Sequence, residues 1–369
     1  VDTANRRDVI RFVEFPFELY GNDPNWVPSF RHEALAQLDA ARHPFYQHSE
    51  AAFFLALDGE RVVGRIAVLD NTRYNTYHRE RTAFFYLFES IDDVAVSGGL
   101  FDAAFAWARD RGLASIWGPK GFLASDGQGI LVEGFEYRPA MGVPYNPEYY
   151  ADLVADAGFE KKLDFMSWHM DRQYTFPQRF LDVAERIKRR RGFQSRHFQS
   201  KAELQAVVSE VTAVYNEAFA EVVGYVPITD SETEVIGKRI LSVADPRLVS
   251  LLMRGSEIVG FVLAYPDLSA AIQRCRGRMW PFGWFHLWRE FGRTRWINFN
   301  GAGIRAEHRG LGGNALLYAE LYRILIDHPQ YDFADLVQVQ ESNQRMMQEL
   351  EAMGVQLRKR HRTFERRLV

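Results

Sequence analysis

The sequence has almost no cysteine: Cys275 is the single one in 369 residues. One thiol cannot close a disulfide within the chain, so a disulfide scaffold is excluded and a cysteine-rich zinc site nearly so. The ten histidines are scattered without metal-ligand spacing, and no metal site is expected. A strong charge of either sign is also missing. Lys and Arg number 45 against 48 Asp and Glu, a formal net charge of −3, which argues against a general nucleic-acid binder. No apolar run reaches the roughly 20 residues that span a bilayer, and residues 1–12 lack the apolar core of a secretory signal. The expected location is therefore cytoplasmic. The chain is rich in aromatics, with 28 Phe, 16 Tyr and 8 Trp on an otherwise ordinary globular composition of 47% hydrophobic and 25% charged residues. At roughly 150 residues per domain, the length suggests two.

Apolar runs over Ala51–Leu57 and Val62–Leu69, split by Asp58-Gly59, predict a hairpin. A strand over Thr82–Phe88, a helix over Leu100–Arg111, a strand over Ser115–Trp117, a helix over Pro147–Ala157 and a strand over Lys161–Met170 follow. Helices over Lys201–Ala220 and Glu232–Ser242 open the second half. A hairpin follows over Leu248–Met253 and Ile258–Tyr265, then a strand over Trp296–Ile304 and a helix over Asn314–Asp327. A strand over Phe333–Val339, a helix over Asn343–Met353 and a strand over Gln356–Arg366 close the chain. The repeated order predicts an α/β (α+β) architecture of two similar tandem folds, each a mixed central sheet flanked by helices. The polar stretch Tyr174–Pro177 divides a first domain over 1–176 from a second over 177–369.

Between the strand ending at Ile304 and the helix starting at Asn314 lies the run Arg305-Ala-Glu-His-Arg-Gly-Leu-Gly-Gly-Asn314. Gly310, Gly312 and Gly313 allow a tight turn with backbone close to a ligand. The following helix N-terminus favours an anion, and Arg305 and Arg309 add positive charge. The same residues also read as a plain glycine-rich turn capped by Asn314, since short glycine patterns are common. Arg309-Gly310-Leu311-Gly312 resembles the Arg/Gln-x-x-Gly-x-Gly/Ala loop of the GCN5-related N-acetyltransferase (GNAT) superfamily. It lies where that family has it, although Asn314 replaces the last Gly or Ala. A second match is Asn343 followed, eleven residues on, by Gly354. The resemblance implies an acyl-CoA site between the strands Trp296–Ile304 and Phe333–Val339, with Ile304, Gly313 and Asn343 among its residues. The general-acid Tyr that many GNAT enzymes carry four residues before the closing Gly is Leu350 here.

The corresponding first-half stretch, Ser90–Gly99, has no Lys or Arg, and Asp92 and Asp93 would repel a pyrophosphate. One acyl-CoA per chain is expected, in the second domain, with the first supplying acceptor pocket and support. A long Gly, Pro and aromatic-rich loop follows Trp117, too broken for a helix or central strand. Its Trp117-Gly-Pro-Lys-Gly-Phe122, Leu131-Val-Glu-Gly-Phe135 and Tyr145-Asn-Pro-Glu-Tyr-Tyr150 segments resemble a bacterial group of tandem GNAT proteins. The resemblance extends to bacterial ceramide-synthase-like acyltransferases, which join a fatty acyl group to a sphingoid-base amine.

An insertion over 269–295 separates the second hairpin from the next strand. Its part Arg274–Trp296 holds six Arg, seven Trp or Phe and one acidic residue, Glu290. Trp284, Phe285, Leu287, Trp288 and Phe291 share one helical face. That face suits the domain core, a second subunit, a greasy acyl channel lined by Trp284 and Trp288, or peripheral contact of 280–293 with the inner face of a membrane. The cluster Arg358–Arg362 is expected on an edge strand, where charge deters pairing.

The resemblance implies direct transfer of an acyl group from a thioester to an amine. Such transfer needs a proton acceptor, an oxyanion donor and positioning. Glu341, beside Asn343, is the first-choice base; Glu133 and Glu89 are second choices. A kink at Asn300-Gly-Ala-Gly303 would offer the N–H, and Tyr145, Asn146 and Tyr149 would orient the acceptor. The expected function is an acyl-CoA-dependent N-acyltransferase acting on a lipid amine, with an acyl carrier protein thioester as another possible donor. The alternatives are acetylation of a small amine and a catalytically silent protein that binds lipid or a partner.

Overall fold

The computed structural model describes residues 1–21, 23–309 and 313–368. The described strands are β1 (Glu50–Asp58), β2 (Arg61–Asp70), β3 (Thr82–Ser90), β4 (Ser115–Gly118), β5 (Ile130–Glu133), β6 (Glu160–Asp171), β7 (Phe193–His197), β8 (Val249–Arg254), β9 (Glu257–Pro266), β10 (Trp296–Ile304), β11 (Phe333–Gln340) and β12 (Gln356–Arg367). They belong to two compact units. One holds Val1–Met166, Leu268–Glu290 and the chain from Arg358 onward; the other holds Ser167–Asp267 and Phe291–Leu357.

In the first unit β1, β2 and β3 are antiparallel, β3 and β4 are parallel, and β12 returns antiparallel to β4. The helix Val94–Asp110 makes the crossover from β3 to β4. Its face Leu100, Phe101, Ala104, Phe105 and Ala108 packs on Ile66, Val68, Phe85 and Ile116. The helix starts earlier than the sequence suggests, because the Asp93 side chain accepts hydrogen bonds from the amides of Ala95 and Val96. The expected Ser90–Gly99 loop therefore shrinks to Ile91–Asp93, and Gly98 and Gly99 are helical.

The second unit repeats this plan. Strands β7, β8, β9 and β10 are antiparallel, β10 and β11 are parallel, and the helix Gly313–Asp327 makes the crossover. Phe198, Val214, Leu251 and Phe261 centre one side of its core. Within it, Glu320 is fully buried and accepts from Lys188 Nζ at 3.1 Å, Ser195 Oγ at 2.7 Å and Ser250 Oγ at 3.1 Å. Burial raises the pKa of this carboxyl, but the Ser195 bond and the Lys188 charge outweigh it and hold the group below the usual Glu range. The two halves are thus tandem folds of one plan, each a mixed sheet with flanking helices.

Three local expectations are corrected. The single helix expected over Lys201–Ala220 is two, Lys201–Ala206 and Val208–Ala218. The break falls at Val207, φ −110° and ψ 3°, where two β-branched residues meet. The long loop carries a strand after all, β5, which pairs with β12. Asn146 holds it: its Oδ1 accepts from Leu131 N at 2.7 Å and its Nδ2 donates to Leu131 O at 3.2 Å. Finally, Arg358–Arg362 does not form an edge, because β12 lies between β4 and β6. Two of its arginines are partners of buried Asp164, Arg360 at 3.3 Å and Arg362 at 2.8 Å.

His361, on the same strand, is fully buried and donates from Nε2 to Pro144 O at 2.9 Å. Burial pushes its pKa down to about 4. A histidine held neutral in the folded state adds stability above the unfolded pKa of about 6.5, and that stability is lost as pH falls toward the folded value. Urea unfolding should therefore show stability falling by roughly 2 kcal/mol from pH 7 to pH 5 through this group. In His361→Gln, which keeps a donor but cannot titrate, the pH dependence should flatten.

Candidate active site

The site expected in the second unit is built on β10 and β11. Their rungs run from Trp296↔Phe333 to Phe299↔Leu336 and stop there, while the strands continue to Ile304 and Gln340. Beyond Phe299, β10 remains paired with β9 through a bulge, since Phe299 faces Ala264 and Gly301 faces Leu263. The extra residue is Asn300, which is exposed and donates from Nδ2 to the hydroxyl of Tyr265 on β9. Burial drives the Tyr265 phenol well above its ordinary pKa, so it stays protonated. On the other strand, Gln338 takes a positive φ of 53° and its amide donates to Ser167 Oγ at 3.2 Å. Gln340 exchanges amide bonds with Val223, at 3.0 and 3.2 Å. Where the two part, β10 is braced by Tyr265 on β9, and β11 by Ser167 and the turn at Val223.

Beyond Ile304, which is buried, the chain reaches the start of the helix at Gly313. A Cβ at Gly313 would lie 2.2 Å from Ile304 Cδ1 and 2.9 Å from His308 O, so only glycine lets the helix begin this close to the strand end. Gly310, Leu311 and Gly312 lie outside the described residues. Arg305 pairs with both carboxylate oxygens of Glu217, at 2.8 and 2.7 Å. Arg309 pairs with Glu221 at 3.0 Å and donates to Ala218 O. Asn314 donates to Glu349 at 3.2 Å. Asn343 caps the helix Gln344–Met353 by accepting from Met346 N at 3.2 Å, and Glu341 sits in the turn between β11 and that cap. Leu350 is fully buried among Tyr318, Leu336 and Met353, so that position supplies packing and no proton.

The first unit repeats the geometry and closes it with its own chain. Its parallel rungs end at Phe84↔Trp117, and a bulge on β3 leaves Leu87 at φ 50°. Here Lys120 N donates to Phe85 O at 2.9 Å, across the point where the strands part. Gly118 permits the approach, because a Cβ there would stand 2.3 Å from Phe85 O. Tyr150 and Tyr149 cover the end of β3. The Tyr150 hydroxyl accepts from Ser90 N at 3.0 Å and donates to Glu89 at 2.8 Å, and the Tyr149 hydroxyl donates to Ser90 O at 2.9 Å. The Asp93 carboxylate occupies the helix N-terminus where an anion would lie.

These contacts place the remaining sequence candidates. Glu89 is half-buried, accepts from Tyr20 at 2.5 Å and from Tyr150, and stands 3.6 Å from Arg65; desolvation raises its pKa. Tyr145 donates to Asp23 at 3.0 Å, its pKa pushed up to about 12 mainly by burial. Asn146 is the staple of β5, and Glu133 pairs with Arg360 at 3.1 Å. Glu89, Tyr145 and Tyr149 are therefore brought together around Tyr20 and Ser90, whereas Glu341, Asn343 and Asn300 belong to the second unit. Trp284 and Trp288 lie on the helix Gly283–Phe291 and are exposed.

Several polar groups were not read from the sequence. His169 and Asp335 form a buried 2.7 Å pair beside Trp296, joining residues far apart in the chain. Tyr265 becomes visible only once β9 and β10 pair. Lys120 stands against Trp117, 5.0 Å from its ring, and burial pushes its ammonium down to about 8. Its one sequence signal is its position inside the Gly-Pro-Lys-Gly turn.

No protein-family model matches the chain. The protein YghO of Escherichia coli strain K12 is 28% identical over 374 residues, 99% of this chain and 94% of the relative. The bacterial ceramide synthase of Caulobacter vibrioides strain NA1000 / CB15N is 31% identical over 284 residues, 76% of this chain and 73% of the relative. Among solved structures, a tandem GNAT protein from the clavulanic acid biosynthesis pathway superposes with a TM-score of 0.57. It shares 12% identity, over 100% of this chain and 97% of that one, and shows the tandem GNAT fold.

Gly313→Ala should destabilise the second unit by about 1–3 kcal/mol, the usual cost of overpacking. Adding Ile304→Val, which removes the Cδ1 it would strike, should restore part of that loss in denaturant unfolding.

Proposed function

Because the chain belongs to the family of the Caulobacter vibrioides bacterial ceramide synthase, we propose that it is an acyltransferase of GNAT fold. It moves an acyl group, above all a fatty acyl group, from an acyl-CoA thioester to the amine of a lipid such as a sphingoid base. The observation that carries this reading is the parting of β10 and β11 after Phe299↔Leu336 beside a helix start that Gly313 lets pack close against Ile304. Strand backbone beyond that rung can bond the amides of an extended pantetheine arm, as a sheet edge bonds a peptide. The glycine-rich sequence of residues 310–313 and the helix N-terminus that follows favour the pyrophosphate. The second unit is chosen over the first because Lys120, Tyr149, Tyr150 and Asp93 fill the matching positions of the first.

In this reading the amine nitrogen attacks the thioester carbonyl carbon. The C–N bond forms, the C–S bond breaks, and the sulfur leaves as thiolate. The proton lost from the amine passes to the Glu341 carboxylate. The thiolate needs no protein donor, since its pKa near 8.5 makes it a tolerable leaving group, which fits a leucine at 350. A backbone N–H at the Asn300 bulge serves the oxyanion.

A second reading, a catalytically silent binding protein, draws on the pairing of Arg305 and Arg309 with Glu217 and Glu221 and on buried Leu350.

Palmitoyl-CoA with a long-chain amine should release free thiol, faster than acetyl-CoA with the same amine. Gly312→Trp should abolish the release, and robust activity in that variant would remove the loop from the site. Glu341→Gln should lower kcat by roughly 10²–10⁴ with little change in the KM for acyl-CoA. Calorimetry that finds no binding of any CoA ester would favour the silent reading and overturn the transfer reaction.

A further inference from the structure

The aromatic helix of the insertion buries its apolar face only in part: Leu287 and Phe291 are half-buried, but Trp284 is 53% exposed and Trp288 70%, and in the turn before it Trp280 is 80% exposed and Phe282 71%. Its one carboxylate, Glu290, is instead turned inward, 2.9 Å from Arg274 Nη1. This reverses the usual order of a surface helix, in which carboxylates face water and aromatics face the core. The platform beneath is firmly held. Arg31 N donates to Gly277 O at 3.0 Å, Arg276 donates to Phe17 O at 3.0 Å, and Gln273 donates to the carbonyls of Pro24 and Trp26 at 2.8 and 2.9 Å. Gly283 closes the turn so tightly that a Cβ would strike Arg278 O. Trp280 and Phe282 are thus presented by a braced turn, and exposed Arg278 and Arg289 flank the patch.

We infer that this face is the seat of an anionic phospholipid bilayer. Trp and Phe with flanking Arg are the side chains that settle at the boundary of headgroups and acyl chains, and the arginines match the negative surface. A helix of nine residues is about 14 Å long and lies in the interface rather than across it. No helix among the described residues is long and apolar enough to cross a membrane. A second copy of the chain would bring Arg278 and Arg289 against their own kind, with Glu290 already engaged; a bilayer of phosphatidylglycerol brings the opposite charge. The inference stands on the patch alone, so a chain that binds vesicles and transfers nothing would sink the reaction above and leave this surface intact.

The test is co-sedimentation of the full chain with vesicles of phosphatidylcholine alone or mixed equally with phosphatidylglycerol. Binding should favour the anionic vesicles and weaken with salt. Trp280→Ser with Phe282→Ser, both at exposed positions, should reduce it at least tenfold with the circular dichroism spectrum unchanged. Arg278→Glu should reduce it by about fivefold or more. Brominated acyl chains should quench tryptophan fluorescence in the wild type. Absence of binding to anionic vesicles overturns the inference, as does binding that the double variant leaves unchanged. Self-association that the double variant abolishes, with no vesicle binding, would give the face to a second copy and overturn it too.

Discussion

Parallel strands that part leave backbone donors and acceptors facing each other too far apart to bond, and a protein has to answer for every such group it covers. This constraint shapes both halves of the chain. The rung pattern is the same in each: antiparallel neighbours on one side, a bulge, and a parallel partner that is lost after a few residues. In the first unit the answer is internal. Gly118 brings the chain against Phe85, Lys120 bonds across, and Tyr149 and Tyr150 take both backbone groups of Ser90. In the second unit Tyr265 braces β10, and Ser167 and the Val223 turn brace β11, where the rungs between the two strands stop.

The long loop of the first unit accordingly has a structural task that its composition conceals. Four hydroxyl and amide side chains, those of Tyr20, Asn146, Tyr149 and Tyr150, tie it to β3 and β5. The half-buried Glu89 at their centre gathers two phenols and faces a guanidinium, which helps to lock the loop. The helix-terminal anion position is likewise taken by Asp93. The same plan thus supports two outcomes, set by whether the chain's own side chains reach into the opening.

The insertion follows a different logic. Its aromatics project from a platform anchored by backbone carbonyls, and its acidic residue is withdrawn into an ion pair. An apolar face displayed this way on a rigid base suits a surface that docks rather than one that has yet to fold.

Much of the fold was legible in the sequence, because it rests on local periodicity. The hairpin turns at Asp58-Gly59 and Gly255, the strand Trp296–Ile304 and the helix ending before Gly354 follow from patterns of apolar spacing and left-handed glycines. The helices Arg6–Leu19 and Arg31–Gln37 escaped notice, the first because Pro16 interrupts its pattern. The helix that follows Asn343 and the bulge near Asn300, expected as a kink at Asn300-Gly-Ala-Gly303, were visible as motifs. Sequence spacing could not reveal what depends on distant strands meeting. The charge of Arg358–Arg362 read as an edge until β4 and β6 enclosed it, and His169 found Asp335 only across the sheet. The amphipathic pattern of Trp284–Phe291 fixed a helix but not its neighbour, because periodicity states which residues share a face and only packing decides what that face meets.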